Sequence, residues 1–218
     1  MKASRGLVNR IMESLSWRLG LRVLRVVRRD MTKSPAPGAT GITFRLLDRP
    51  QVMALTADPA LDLPPAWAEE AVERAGGCTG AFRDGQPVAY SWFAYYTAPD
   101  RYGLEVRVPP GVAYRYKAFV RRECRGLHIA RLLYQFTDRL CVEQGRETAV
   151  GLIAFHNAPS LAASTAIGAQ VTGFIFSWRL FGRHVLLHSP GARRLGLRLV
   201  PEKPAGVPRS VGEQTTES

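Results

Sequence analysis

The stretch Tyr114–Ala130, YRYKAFVRRECRGLHIA, decides how the rest of the chain is read. It opens as a strand on which Tyr114 and Tyr116 share a face. It then turns through Arg121, Arg122 and Arg125 and enters a helix past Gly126, with Arg131 one turn further on. Backbone N–H groups at a helix start have no partner within the helix, and with the helix dipole they favour an anion. Arginines gathered around the same point strengthen that field. The pattern suits a diphosphate cradle. It also suits an ordinary strand-to-helix turn with a solvated arginine cluster.

Downstream, the spacing predicts a helix over 127–144, with Ile129, Leu132, Leu133, Phe136 and Leu140 on its apolar face and Gly145 as its C-terminal stop. Thr148–Phe155 reads as a buried strand, apolar throughout. A short helix over 159–167 ends at Gly168, and strands over 170–180 and 183–188 turn at Gly182. The run from Thr148 to Trp178 holds no Asp, Glu, Lys or Arg. His156, Asn157, Pro159, Gln170 and three glycines interrupt it, so it reads as strand, helix and strand and not as a membrane span.

Upstream, 41–47 is a strand and 64–75 a helix opened by two prolines. Strands over 78–83 and 87–97 flank Asp84-Gly85. Strands over 102–108 and 112–120 flank Pro109-Pro110-Gly111, which reads as another hairpin.

In this order of elements the chain resembles the GNAT superfamily of acyl-CoA-dependent N-acyltransferases. The family's cradle, Arg/Gln-x-x-Gly-x-Gly/Ala, lies over Arg125-Gly126-Leu127-His128-Ile129-Ala130, with His128 where the middle glycine is usual. Asn157 to Ser160 and a short helix ending in Gly168-Ala169 follow the family's next segment, which usually ends Gly-Phe. The resemblance covers about 41–188. It implies an α+β fold with a mixed, mostly antiparallel central sheet flanked by helices. It implies acetyl-CoA or another acyl-CoA as donor, no metal, and an amine of a small molecule, such as an amino sugar or amino acid, as acceptor. The donor would be held by Phe119, Val120, Arg125, Gly126, Leu127, His128, Ile129, Ala130, Asn157 and Ser160. The imidazole of His128 either crowds the phosphate or donates to it, which leaves room for an acyl carrier protein as donor. Ser164 stands where many members have a tyrosine that protonates the departing thiolate.

Other residues carry two readings each. Glu105, on one strand face with Arg107, is a candidate base or half of a surface ion pair. His156, next to Asn157, has a side chain suited to proton transfer or to capping. Tyr114 and Tyr116 line an acceptor pocket or pack in the sheet, and Trp92, Phe93, Tyr95 and Tyr96 read as sheet packing. Cys124 lies in an electropositive turn but without a partner for covalent chemistry. His184 and His188 show no metal-ligand spacing.

The 218 residues carry 30 Lys+Arg against 18 Asp+Glu, a net charge of +12. Such a balance suits an anionic partner, and equally an arginine-rich codon usage. Three widely spaced cysteines argue for a reducing compartment over a disulfide framework. Residues 1–30 read as a basic amphipathic helix, with Leu7, Val8, Ile11, Met12, Leu15 and Leu19 at helical spacing and Arg18, Arg22, Arg25 and Arg29 in one stripe. It packs on protein or lies on an anionic membrane surface. The alternative to an enzyme is thus a catalytically weak or inactive module on such a surface. No nucleic-acid reading motif is present. Residues 31–40 read as a linker, 41–199 as the acyltransferase-like domain and 200–218 as a disordered tail. The start lacks a secretory signal, and the expected location is cytoplasmic, with or without attachment to the inner membrane face.

Overall fold

The computed structural model describes residues 20–36, 41–73, 76–100, 103–180 and 182–202. The elements in chain order are β1 (Leu21–Asp30), β2 (Ile42–Leu47), α1 (Arg49–Thr56), α2 (Pro65–Glu73), β3 (Gly76–Arg83), β4 (Gln86–Ala94), β5 (Thr97–Pro99), β6 (Leu104–Arg107) and β7 (Val112–Val120). They continue as α3 (Ile129–Glu143), β8 (Thr148–Ala154), α4 (Ala158–Ala166), β9 (Gln170–Leu180), β10 (Arg183–His188), α5 (Pro190–Arg194) and β11 (Arg198–Pro201). Eight strands form one sheet in the order β10-β9-β1-β8-β7-β4-β3-β2, and β11-β6-β5 form a second. Every pairing in the large sheet is antiparallel except that of β7 with β8.

Residues 21–30 are a strand inside this sheet and not the last third of a basic helix; residues 1–19 lie outside the described residues. The reason is packing. Leu24 and Val26 point to one face and are buried with Val150 and Ile175, while Val27 and Arg29 point to the other. The three valines of LRVLRVVRRD favour a pleated surface. Strand alternation divides the arginine stripe: Arg22 pairs with Asp100 at 2.6 Å and Arg29 with Asp138 at 2.6 Å, from opposite faces. The body therefore extends beyond 41–199 at both ends, to β1 and to β11. Within the expected linker, Met31 is core, and its N–H donates to Glu147 O at 2.8 Å.

The turn at Pro109-Pro110-Gly111 forms, with Val112 N donating to Pro109 O at 3.3 Å, but its flanks do not pair as a hairpin. Instead β6 pairs with β5 and β11 in the second sheet. That sheet and α5 cover one face of β1, β8 and β9, burying Leu104, Val106, Leu197 and Leu199 with Leu24 and Ile175. Here α5 sits close on β9: a Cβ at Gly191 would lie 1.7 Å from Thr172 O, so only glycine fits. On the other half of the sheet, α1 and α2 cover one face, over Trp92 and Tyr90. The opposite face carries α3, through Ile129, Leu133 and Thr137. Ile129 and Leu133 of the predicted apolar face are buried, but so are Thr137 and Asp138. The Thr137 and Thr79 hydroxyls bond at 2.7 Å, which satisfies the first of these.

Candidate active site

Parallel pairing of β7 with β8 runs only from Val112↔Thr148 to Arg115↔Gly151. Beyond it the strands part. The cause lies on the other edge of β7: Trp92 faces Lys117 and Phe93 faces Arg115, so Tyr116 is an extra residue in a β-bulge. A bulge bends and twists its strand. It also sets Tyr116 and Lys117 on the same face. Tyr116 stacks on Tyr114 at 5.7 Å between ring centres, and Lys117 Nζ lies 4.5 Å from the centre of the Trp67 ring. The parted strands leave a cleft of about 110 Å³. It is lined by β7, by β8, by Tyr134 of α3, by Ser160 and Ser164 of α4, and by Arg29 of β1.

The N-terminus of α3 stands at the far end of β7. His128 is the N-cap residue, in the left-handed region (φ 56°), and its side chain makes no capping bond. Gly126 has φ 85°, a conformation that favours glycine, and no acid lies in the first turn. Among the described residues, no hydrogen bond occupies the amides of Gly126 to Arg131. Cys124 N and Arg125 N close the turn before them onto Arg121 O and Arg122 O. Arg125 is exposed, donates through Nε to Val120 O at 3.2 Å, and lies 5.8 Å from the Phe119 ring centre. Arg121 is held by Asp58 and by Pro87 O, whereas Arg122 and Arg131 face solvent. The helix start thus presents free donors and positive charge together.

Charge is also buried beside the cleft. Asp138 of α3 is fully buried between Arg115, which bonds to Oδ1, and Arg29, whose Nη1 lies 2.6 Å from Oδ2. Arg115 further donates to Tyr134 O at 3.0 Å and lies 4.8 Å from the Tyr134 ring centre. Arg29 donates to Ser34 Oγ at 2.9 Å. Burial pushes the Asp138 carboxyl above its ordinary range, against the pull of the two arginines, and pushes the Arg29 guanidinium below its own. Burial also raises the Tyr134 phenol.

Across β7, on the α1/α2 face, lies an aromatic wall. Trp67 meets Trp92 edge-on at 5.3 Å and Tyr116 at 6.0 Å. Trp92 Nε1 is buried with no hydrogen-bond partner. The bulge connects this wall to the cleft, because Tyr116 and Lys117 border both.

A scan against protein-family models finds no match, and a search of curated proteins finds none. Solved structures do match. A GNAT-family acetyltransferase from Novosphingobium aromaticivorans aligns at 21% identity over 72% of this chain and 62% of its own, with a TM-score of 0.54. One from Colwellia psychrerythraea aligns at 18% identity over 77% and 56%, with a TM-score of 0.52. A GCN5-related N-acetyltransferase from Kribbella flavida aligns at 16% identity over 82% and 63%, with a TM-score of 0.50. The chain adopts the GNAT fold. It spans less than two thirds of the length of each of these three relatives.

Within this GNAT fold the residues expected from sequence fall into two groups. Ser160 and Ser164 line the cleft, Arg125 to Ala130 form the turn and first residues of α3, and Phe119 and Val120 end β7 outside the cleft lining, Phe119 stacked on Tyr90 and Val120 packed near Ile129. Asn157 caps α4, accepting from Ser160 N at 3.1 Å, so its side chain serves the helix. His156 follows the end of β8 and Glu105 lies on β6 of the second sheet, and neither lines the cleft. Glu105 pairs with Arg107 at 3.2 Å, as their shared strand face allows. The sequence reading missed Arg29, Ser91, Arg115, Tyr134 and Asp138. One signal was available: Tyr134 and Asp138 are four apart, hence on one side of the helix, next to the line through Ile129, Leu133 and Cys141.

Proposed function

We propose that this chain is an N-acyltransferase that moves an acetyl or longer acyl group from a CoA-type thioester to an amine of a small molecule, an amino sugar or amino acid. One observation carries the reading: past the last β7–β8 pair the strands leave a cleft, and β7 then leads into the uncapped start of α3, so the diphosphate is assigned to the helix start and its pantetheine arm to the cleft. The amides of Gly126 to Ala130 and Arg125 hold the diphosphate. The arm pairs as an added strand against the open edge of β7 near Phe119 and Val120, placing the thioester at the bulge.

The amine enters from the Trp67 and Trp92 side. Holding both reactants at one point supplies on the order of 7–11 kcal/mol at best. The amine must be neutral to attack. Among the described residues no carboxylate or imidazole lines the cleft, so its proton leaves through water. An N–H at the bulge receives the developing oxyanion. The C–N bond forms, the C–S bond breaks, and the thiolate takes a proton on the side lined by Ser164 and the protonated Tyr134 phenol.

Thermal unfolding of the full chain with acetyl-CoA, palmitoyl-CoA and ATP tests the assignment, followed by thiol release with a panel of amines. A thioester at about 100 times its Kd adds roughly 2.7 kcal/mol of stability, several degrees in Tm. We expect that shift with a thioester, none with ATP, and a smaller one in Arg125→Ala. No shift with any thioester refutes CoA binding.

A further inference from the structure

We infer that the acyl group accepted here ends in a carboxylate, so that the donor is a thioester of a dicarboxylic acid. This rests on the acyl-transfer reading above and names its donor. The side of the cleft beneath α3 carries two guanidiniums and one carboxylate. Asp138 spends Oδ1 on Arg115 and Oδ2 on Arg29, which leaves one positive charge unmatched in that cluster. Arg29 Nη1 and Asp138 Oδ2 meet each other only as an ion pair, and two further donors have no partner among the described residues: Arg115 Nε and Ser91 Oγ are both buried without a hydrogen bond, and both residues line the cleft. Ser91 is 1% exposed. Buried polar groups are almost always bonded in native proteins, so two orphans beside surplus charge mark a place for an anionic acceptor.

That anion is not the diphosphate, whose place is at the other end of β7. It is not part of the acceptor either, because Arg29 and Arg115 face α3, whose Asp138 meets them, whereas the aromatic wall lies across the strand under α2. Ala118, Ala149, Gly151 and Ala169 give the cleft small side chains, which suits an acyl chain longer than acetyl. In the reaction the amine nitrogen attacks the thioester carbonyl carbon. The C–N bond forms, the C–S bond breaks, the thiolate takes a proton and the amine gives one to water. The distal carboxylate is unchanged and stays paired with Arg115 and Ser91.

Titration calorimetry of the full chain with succinyl-CoA, butyryl-CoA and acetyl-CoA tests this. Succinyl and butyryl chains have equal length and differ in the terminal charge. We expect succinyl-CoA to bind about 10-fold or more tighter than butyryl-CoA, the usual worth of hydrogen bonds to a charged group. Ser91→Ala, and separately Arg115→Lys, which keeps a cation beside Asp138, should each lower that ratio about fivefold or more. Equal binding of the two thioesters, or a ratio unmoved in both variants, overturns the inference and leaves acyl transfer standing. Failure of all three thioesters to bind overturns both.

Discussion

At the scale of single residues, Asp138 is the position on which most depends. It is an acid inside the protein, and its two partners come from β1 and β7. Removing it strands two guanidiniums, and breaking such a buried set costs about 3–5 kcal/mol. Asp138→Ala should therefore lower stability by that amount in urea unfolding at neutral pH, whereas a loss below about 1 kcal/mol is what a surface pair gives and would contradict the burial. The sequence marked this residue only by its spacing from Tyr134 beside the buried line of the helix. An acid in an amphipathic helix reads as solvent-facing, and nothing local announces that arginines 23 and 109 residues away will meet it. His128 was legible only in part. Its place at the family's glycine was visible, and the structure gives it the left-handed backbone that glycine adopts without cost. Glu105 and His156 were attractive because acids and imidazoles do proton chemistry, a property of residue type and not of position.

At the scale of elements, the helices and strands around the cradle were readable because each carries its own signal: alternation in β7, apolar spacing and a terminal glycine in α3, unbroken apolarity in β8. The exception is β1. Arg22, Arg25 and Arg29 sit at helical spacing, and a ten-residue segment can satisfy that period and the strand period at once. Its valines and the depth of Leu24 decide the matter. The two assignments differ in a measurable way. Leu24→Ala in a central strand should cost about 2–5 kcal/mol, while in a surface helix the change would stay within about 0.5 kcal/mol. The pairing of β6 with β11 was illegible for another reason. It joins residues about ninety positions apart, and proline-glycine turns mark a reversal without saying which strands it joins.

At the scale of the whole molecule, the net charge of +12 is distributed unevenly in its roles. Arg22, Arg29, Arg115 and Arg121 are engaged inside the protein, while Arg122, Arg125 and Arg131 stand exposed at the start of α3. The composition pointed to an anionic partner, and the fold concentrates free donors at one end of one cleft. A third of the segment read as a basic amphipathic helix, with three of the four arginines of its stripe, is spent on the central sheet. Among the described residues no helix is long and apolar enough to cross a membrane. What remains is a split sheet and, past the end of β7, an uncapped helix start with exposed arginines, which we propose as a diphosphate socket. Calorimetric titration with acetyl-CoA against S-acetylpantetheine, which carries the same thioester and arm without the diphosphate, tests that socket most directly. The account predicts that acetyl-CoA binds at least about 100-fold more tightly, the worth of two charge-assisted hydrogen bonds. Equal affinities for the two would contradict it.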